Sequence, residues 1–190
     1  LTLPLDSRPL IVALAGPNGA GKSTFFQAHL QPAGLRFVNA DDLARELGVG
    51  AYEAAELANE LRRALVRQRE SFVFETVLSD PVGDKVNFLR DVARAGYAVV
   101  LCFIGLDSAE TSEQRVAMRV LQGGHDVPTE KLAARFDRTL ENLHRAIMEL
   151  PFVHVFDNSD LGHPFRNVAE FENGKAVSVS KPVPKWLKLP

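Results

Sequence analysis

The sequence predicts an α/β fold: a doubly wound parallel sheet of about five strands, with helices on both faces and a C-terminal β-hairpin. Three observations predict it. Short apolar runs alternate with amphipathic stretches of helical period, as strands joined by crossover helices require. The run Ala98 to Leu106 (AVVLCFIGL) is nearly all apolar, as expected of a strand covered on both faces. Between the apolar run Pro9 to Ala15 (PLIVALA) and a helix-like segment from Lys22 to Leu30 stands Gly16-Pro17-Asn18-Gly19-Ala20-Gly21-Lys22-Ser23-Thr24. This stretch fills every fixed position of G-x-x-x-x-G-K-[ST], in the strand–turn–helix context of a phosphate-binding loop. The fold class is therefore that of the P-loop NTPases.

After this loop, Leu35 to Asn39 reads as a second short strand, followed by a helix opening at Asp41-Asp42. Tyr52 to Glu70 is a longer helix: Leu57, Leu61 and Leu65 repeat every four residues, which places Arg62, Arg63 and Arg67 outside. Ser71 to Val77 is a third strand. Pro81 to Ala95 fits a helix with Pro in its first turn, closed by Gly96. Beyond the Ala98–Leu106 strand, Asp107 and Glu110 form a capping-box pattern for a helix to Leu121, and Gly123-Gly124 breaks it. Pro128 to Leu150 is helical on a stripe of Leu132, Phe136, Leu140, Leu143 and Ile147. Phe152 to Phe156 is the fifth strand. Val168 to Phe171 and Ala176 to Val179 flank Asn173-Gly174, a hairpin turn signal. The expected organisation is one kinase-like domain over residues 1–180, with a lid region near 107–145, a hairpin near 166–180 and an extended tail at 181–190.

Hydrophobic content of 46%, charged content of 24% and a net charge of -2 are those of an ordinary globular protein. They offer no basic patch for nucleic acid and no long apolar span for a membrane. The one cysteine, Cys102, lies in an apolar run, which fits a reducing compartment; a cytoplasmic location is the expectation. The chain opens without Met, which reads as a processed or trimmed start.

The loop implies a nucleoside triphosphate, ATP, with Lys22 reaching its phosphates and the Ser23 hydroxyl on Mg²⁺. It does not say what is done with it. The guanine-reading Asn-Lys-x-Asp is absent, and the match of Asp80 to Gly83 with Asp-x-x-Gly stands alone. The chain is short for a ring-forming or transport ATPase, which leaves a small kinase. In a doubly wound sheet the working residues lie beyond the carboxyl ends of the strands. Three polar clusters fall there: Asn39-Ala40-Asp41-Asp42, Glu75-Thr76, and Asp157-Asn158-Ser159. Each also has a plainer reading, as a helix cap, a structural hydrogen-bond partner and a turn respectively. Asn158, after the last core strand, is a candidate contact for adenine. Arg115 and Arg119, at i and i+4, share a helix face and are candidates to meet phosphate oxygens, or else form a solvated basic face. His125 sits on the glycine-rich loop between the last two long helices, as a candidate phosphate contact or a turn cap; Arg135 and Arg138 are weaker candidates.

The stretches AGPNGAGKST, FVNADDLAREL, SFVFETVLS, GYAVVLCFIGL, RVAMRVLQGGHDVP, RTLENL and VHVFDNS, in order from Leu10 to Ser159, resemble the zeta-toxin family of P-loop kinases, in particular its stand-alone zeta-like branch. The resemblance implies ATP-dependent phosphorylation of a small-molecule hydroxyl, which for the toxins proper belongs to UDP-N-acetylglucosamine. It implies Lys22 as the phosphate-clamping lysine and Asp41 as general base on the acceptor hydroxyl. It further implies Glu75 as the carboxylate that orients substrate and Arg115 and Arg119 as lid arginines; Asn39, Thr76 and His125 are candidates on the substrate side by their places at the strand ends and in the loop. Val77 stands where that branch has threonine in FETTLS; if that hydroxyl contacts substrate in the family, the acceptor here differs or binds more weakly. An antitoxin protein is the partner the resemblance implies. Three functions stay open at this point: a nucleotide-sugar kinase, a kinase of another sugar, polyol or nucleotide without a toxin role, and a binding module that hydrolyses ATP slowly.

Overall fold

The computed structural model describes residues 5–121 and 129–190. The first strand, β1 (Leu10–Ala15), leads through the glycine loop into α1 (Lys22–Phe25), which continues as a π-helical turn over Phe26–Leu30 and a 3-10 turn over Gln31–Ala33. There follow β2 (Arg36–Val38), α2 (Ala40–Leu47), α3 (Ala51–Arg67), β3 (Phe72–Thr76), α4 (Asp84–Arg94) and β4 (Ala98–Gly105). After α5 (Ala109–Leu121) and α6 (Thr129–Glu149) come β5 (Phe152–Asp157), β6 (Arg166–Glu172) and β7 (Lys175–Val179).

One seven-stranded sheet runs in the order β2-β3-β1-β4-β5-β6-β7. Its pairings are parallel from β2 through β5, and β6 and β7 add antiparallel. The hairpin predicted at the C-terminus thus extends the sheet, turning at Asn173 and Gly174, both at positive φ (49° and 80°) as a tight hairpin demands. The strand order reverses at β1, which has β3 on one side and β4 on the other. A crevice opens there, above the strand that carries the glycine loop.

Every residue of β1 is buried, so its apolar run is covered on both faces. One core layer sets Ile11, Ala13, Phe72, Phe74 and Leu101 against Ala58 and Leu65 of α3, Val86 and Leu89 of α4, and Leu143 and Ile147 of α6. The other sets Leu10, Val12, Leu14, Val100 and Cys102 against Phe25 and Leu30. Burial pushes the Cys102 thiol up to about 12, leaving it a small apolar filler.

Several expectations shift. Helix α4 begins at Asp84, because Asp80 accepts from the Asp84 N–H and Gly83 turns the chain at φ 72°; Pro81 lies in the preceding turn. Helix α5 is capped by Ser108, whose Oγ accepts from the Thr111 N–H at 3.2 Å, in place of Asp107. On α3 the buried stripe is Ala54, Ala58, Arg62 and Leu65, so Arg62, expected outside, is inside. The tail is tied down: Trp186 and Leu187 are buried, and the indole covers Gly105, where a Cβ would run into the ring.

Candidate active site

The glycine loop follows β1 into the crevice, and its shape rests on close backbone approach. Gly16 has φ 145° and any Cβ there would strike the Ile104 carbonyl of β4. A Cβ on Gly19 would lie 2.9 Å from Arg115 Cβ, so α5 packs directly on the loop. Ser112, fully buried on α5, donates to the Asn18 carbonyl at 2.7 Å. Asn158 donates to the Ala20 carbonyl at 2.9 Å and accepts from the Phe165 N–H at 3.3 Å. The loop is clamped from both sides.

Lys22 is only 6% exposed and its Nζ donates to the Gly16 and Pro17 carbonyls, each at 3.0 Å. Glu75 Oε1 lies 3.6 Å from the same nitrogen. Burial holds the Lys22 ammonium below its ordinary pKa, and Glu75 and then Asp41 oppose that shift. Glu75 reaches this place because β3 pairs directly with β1, Leu14 opposite Glu75. Its Oε2 accepts from Asn39 Nδ2 at 2.9 Å and from Ser23 Oγ at 3.2 Å. Asn39 is also the N-cap of α2: its Oδ1 accepts from the Asp41 N–H at 2.7 Å and the Asp42 N–H at 3.4 Å. Both plain readings of these residues are therefore true, and they serve the site. The cap sets where Asp41 stands, and the amide ties that cap to Glu75.

Asp41 lines a cavity of ≈ 860 Å³ together with Asn18, Gly19, Lys22, Glu75 and Arg119. Arg119 also bears electrostatically on Lys22. Asn18 Nδ2 is buried with no hydrogen-bond partner among the described residues. These residues suit a polyphosphate. Ser23 and Glu75 suit Mg²⁺, which takes few protein oxygens alongside phosphate and water. Among the described residues no group of three or more His, Cys, Asp or Glu forms a closed metal cage.

Arg115 and Arg119 diverge despite their common face. Arg115 donates to the Ser159 carbonyl at 3.0 Å and braces the loop, whereas Arg119 lines the cavity. Asn158 is buried with both ends of its amide engaged by backbone, so these bonds position the loop. Thr76 lines the cavity and its Oγ1 accepts from the Leu78 N–H at 3.1 Å, closing the turn after β3. That turn is pinned by α6, through Thr139 to the Val77 carbonyl, Arg138 to that of Ser79, and Asn142 to those of Leu78 and Asp80. His125 lies outside the described residues. Sequence reading missed Ser112, Asn59, Arg62 and Lys85. A signal for Arg62 was present: four-residue steps from Ala54 and Ala58 put it on the small-residue face of α3.

A family model described as AAA domain matches residues 11–145. The chain belongs to that family. No curated protein matches it in sequence. Among solved structures, AvrRxo1-ORF1 bound to AvrRxo1-ORF2, crystallised with ATP, superposes with TM-score 0.70 at 21% identity, over 97% of this chain and 66% of that one. This AAA-domain chain thus spans about two thirds of that neighbour's length. A structure from the PezAT chromosomal toxin-antitoxin system of Streptococcus pneumoniae gives 0.60 at 16% identity, over 95% and 76%. A putative kinase from Chloroflexus aurantiacus gives 0.54 at 16%, over 80% and 90%. At these identities the likeness establishes the fold alone, the α/β P-loop NTPase fold.

Proposed function

We propose that this AAA-domain protein is an ATP-dependent kinase that transfers the γ-phosphoryl group to a hydroxyl of a small molecule, with a nucleotide sugar of the UDP-N-acetylglucosamine kind as acceptor. The observation that carries the reading is the cavity shared by the glycine loop, Lys22 and the Asp41 carboxylate, which continues past them along α3 and the turn after β3. Its ≈ 860 Å³ is ample for a metabolite beside a triphosphate end.

In this reading the loop N–H groups and Lys22 hold the polyphosphate oxygens, and Arg119 adds charge where it accumulates in the transition state. Asp41 orients the acceptor hydroxyl and takes its proton as the new O–P bond forms and the bond to the β-phosphate oxygen breaks. Mg²⁺, when bound by Ser23 with Glu75 close by, would neutralise phosphate charge. Glu75 and Asn39 hold Lys22 and Asp41 in register, so most of the rate comes from alignment.

The test is transfer of labelled γ-phosphate to UDP-N-acetylglucosamine and a panel of sugars, polyols and nucleotides. Asp41→Asn is expected to lower kcat by about 10²–10⁴-fold, the range for removing a general base. Unchanged turnover in that variant would dismiss Asp41 as the base, and ATP hydrolysis without transfer to any acceptor would favour the slow-hydrolysis binding module. An antitoxin partner is the second part of the reading. It is supported by neighbours that come from two-protein assemblies. Unimpaired growth on expression alone would count against it.

A further inference from the structure

The cavity continues away from the glycine loop to a second group of cations. Arg62 of α3 is 6% exposed, yet among the described residues no carboxylate bridges it. Its guanidinium donates to Asn59 Oδ1 and lies over the Phe74 ring, 4.9 Å from the centroid. Lys85 of α4 donates to the same Asn59 oxygen at 3.2 Å. Two cations therefore share one neutral acceptor at the cavity wall. Burial brings the Arg62 guanidinium down to about 10, with Arg63 adding to the effect. Lys85 is lowered by burial and then by Arg62, offset in part by Asp80 and Asp84. A buried cation without a carboxylate partner costs stability, and nothing in the packing of α3 calls for one, since its neighbours on that face are the apolar Ala58 and Leu65. The lining as a whole carries six cationic side chains, Lys22, Arg62, Lys85, Arg119, Arg135 and Arg138, against the carboxylates of Asp41, Glu75 and Asp80.

We propose that Arg62 and Lys85, braced by Asn59, form an anion subsite that holds a phosphate or diphosphate group of the acceptor. The acceptor hydroxyl then faces Asp41. The inference rests on the kinase reading and narrows it: neutral sugars and polyols are poor acceptors, and molecules that carry a phosphate group apart from the reacting hydroxyl are good ones. Arg62 lines the cavity while the Phe74 ring and the Asn59 oxygen hold its guanidinium, and a planar fork held in this way suits phosphate oxygens.

The experiment is calorimetric titration of inorganic pyrophosphate into protein whose glycine loop is saturated with Mg²⁺ and a non-hydrolysable ATP analogue. Wild type is expected to bind one equivalent. Arg62→Met and Lys85→Met should each weaken binding by at least about tenfold, as for loss of a charged hydrogen bond, while Arg62→Lys retains most of it. Arg63→Gln, on the exposed face of α3, should leave it unchanged. Malonate in place of pyrophosphate distinguishes a carboxylate-bearing acceptor, and tighter malonate binding would overturn the phosphate assignment. Arg62→Met should melt at or above the wild-type temperature, because it removes a buried charge that no carboxylate among the described residues offsets; a fall of several degrees would make Arg62 structural and overturn the proposal. So would absent pyrophosphate binding in wild type, or equal affinity in all variants. Failure of the ATP analogue to bind would instead strike the kinase reading, with the anion site still read from the difference between wild type and Arg62→Met.

Discussion

Asn39 joins the helix that carries Asp41 to the carboxylate that faces Lys22, and its two amide ends can be separated. Its Oδ1 caps α2 through the Asp41 and Asp42 N–H groups, while Nδ2 donates to Glu75 at 2.9 Å. Asn39→Ala removes both. Loss of the cap costs about 1 kcal/mol, and loss of a hydrogen bond to a half-buried carboxylate about another 1 kcal/mol. The sum corresponds to a fall in Tm of roughly 4–8 °C for a chain of this size. Asn39→Ser keeps the cap and loses only the link to Glu75, so its Tm should fall by about half as much. The kinetic consequence differs from the thermal one. Both variants free Glu75 to shift relative to Lys22 and Ser23, so kcat in the transfer assay should fall in both, by a similar factor of about tenfold or more, as small misplacements at such sites cost. Thermal melts and steady-state transfer measured on the same preparations decide it. Equal Tm for wild type and Asn39→Ala, or a kcat loss in the alanine variant that the serine variant does not share, would refute the idea that one side chain couples the cap to the site.

Lys22 predicts a pH dependence. Its pKa in the folded protein lies below the 10.5 of the unfolded chain, so between the two values the unfolded state holds more protons. This group's contribution to stability should therefore rise with pH as pH climbs through that window towards 10.5. Urea melts of wild type against Lys22→Met at pH 8 and pH 10 should differ in that direction, and a difference of opposite sign would show that burial does not dominate. Trp186→Ala should cost about 3 kcal/mol by cavity formation over Gly105, or roughly 6–12 °C in Tm. A tail that merely dangled would show none of this. Arg115→Ala should weaken nucleotide binding through the loop it braces without altering acceptor KM; a change in acceptor KM alone would place Arg115 on the wrong side of the site.

Local chemistry was enough to read the fold and the glycine loop. The spacing Gly16, Gly21, Lys22 and Ser23 works within one turn of chain, and an apolar strand followed by a helix start leaves that loop few shapes. The strand ends also marked Asn39, Asp41 and Glu75 before their contacts were known, because parallel sheets gather their working residues at one edge. Which residues met there was a different matter. Glu75 faces Lys22 because β3 pairs with β1, a pairing between segments about sixty residues apart that no local pattern encodes. Arg115 and Arg119 share a periodicity and still diverge, since the loop on one side of α5 captures the first and the cavity takes the second. Arg62 shows the limit most plainly: an arginine counts as a surface residue by its type, and only the packing of α3 and α4 around Asn59 and Phe74 turned it inwards. The chain's own spelling thus determined the sheet, the cradle and the rim. The far wall of the cavity was decided only in three dimensions, because it is assembled from single side chains of separate helices, each ordinary in its own segment.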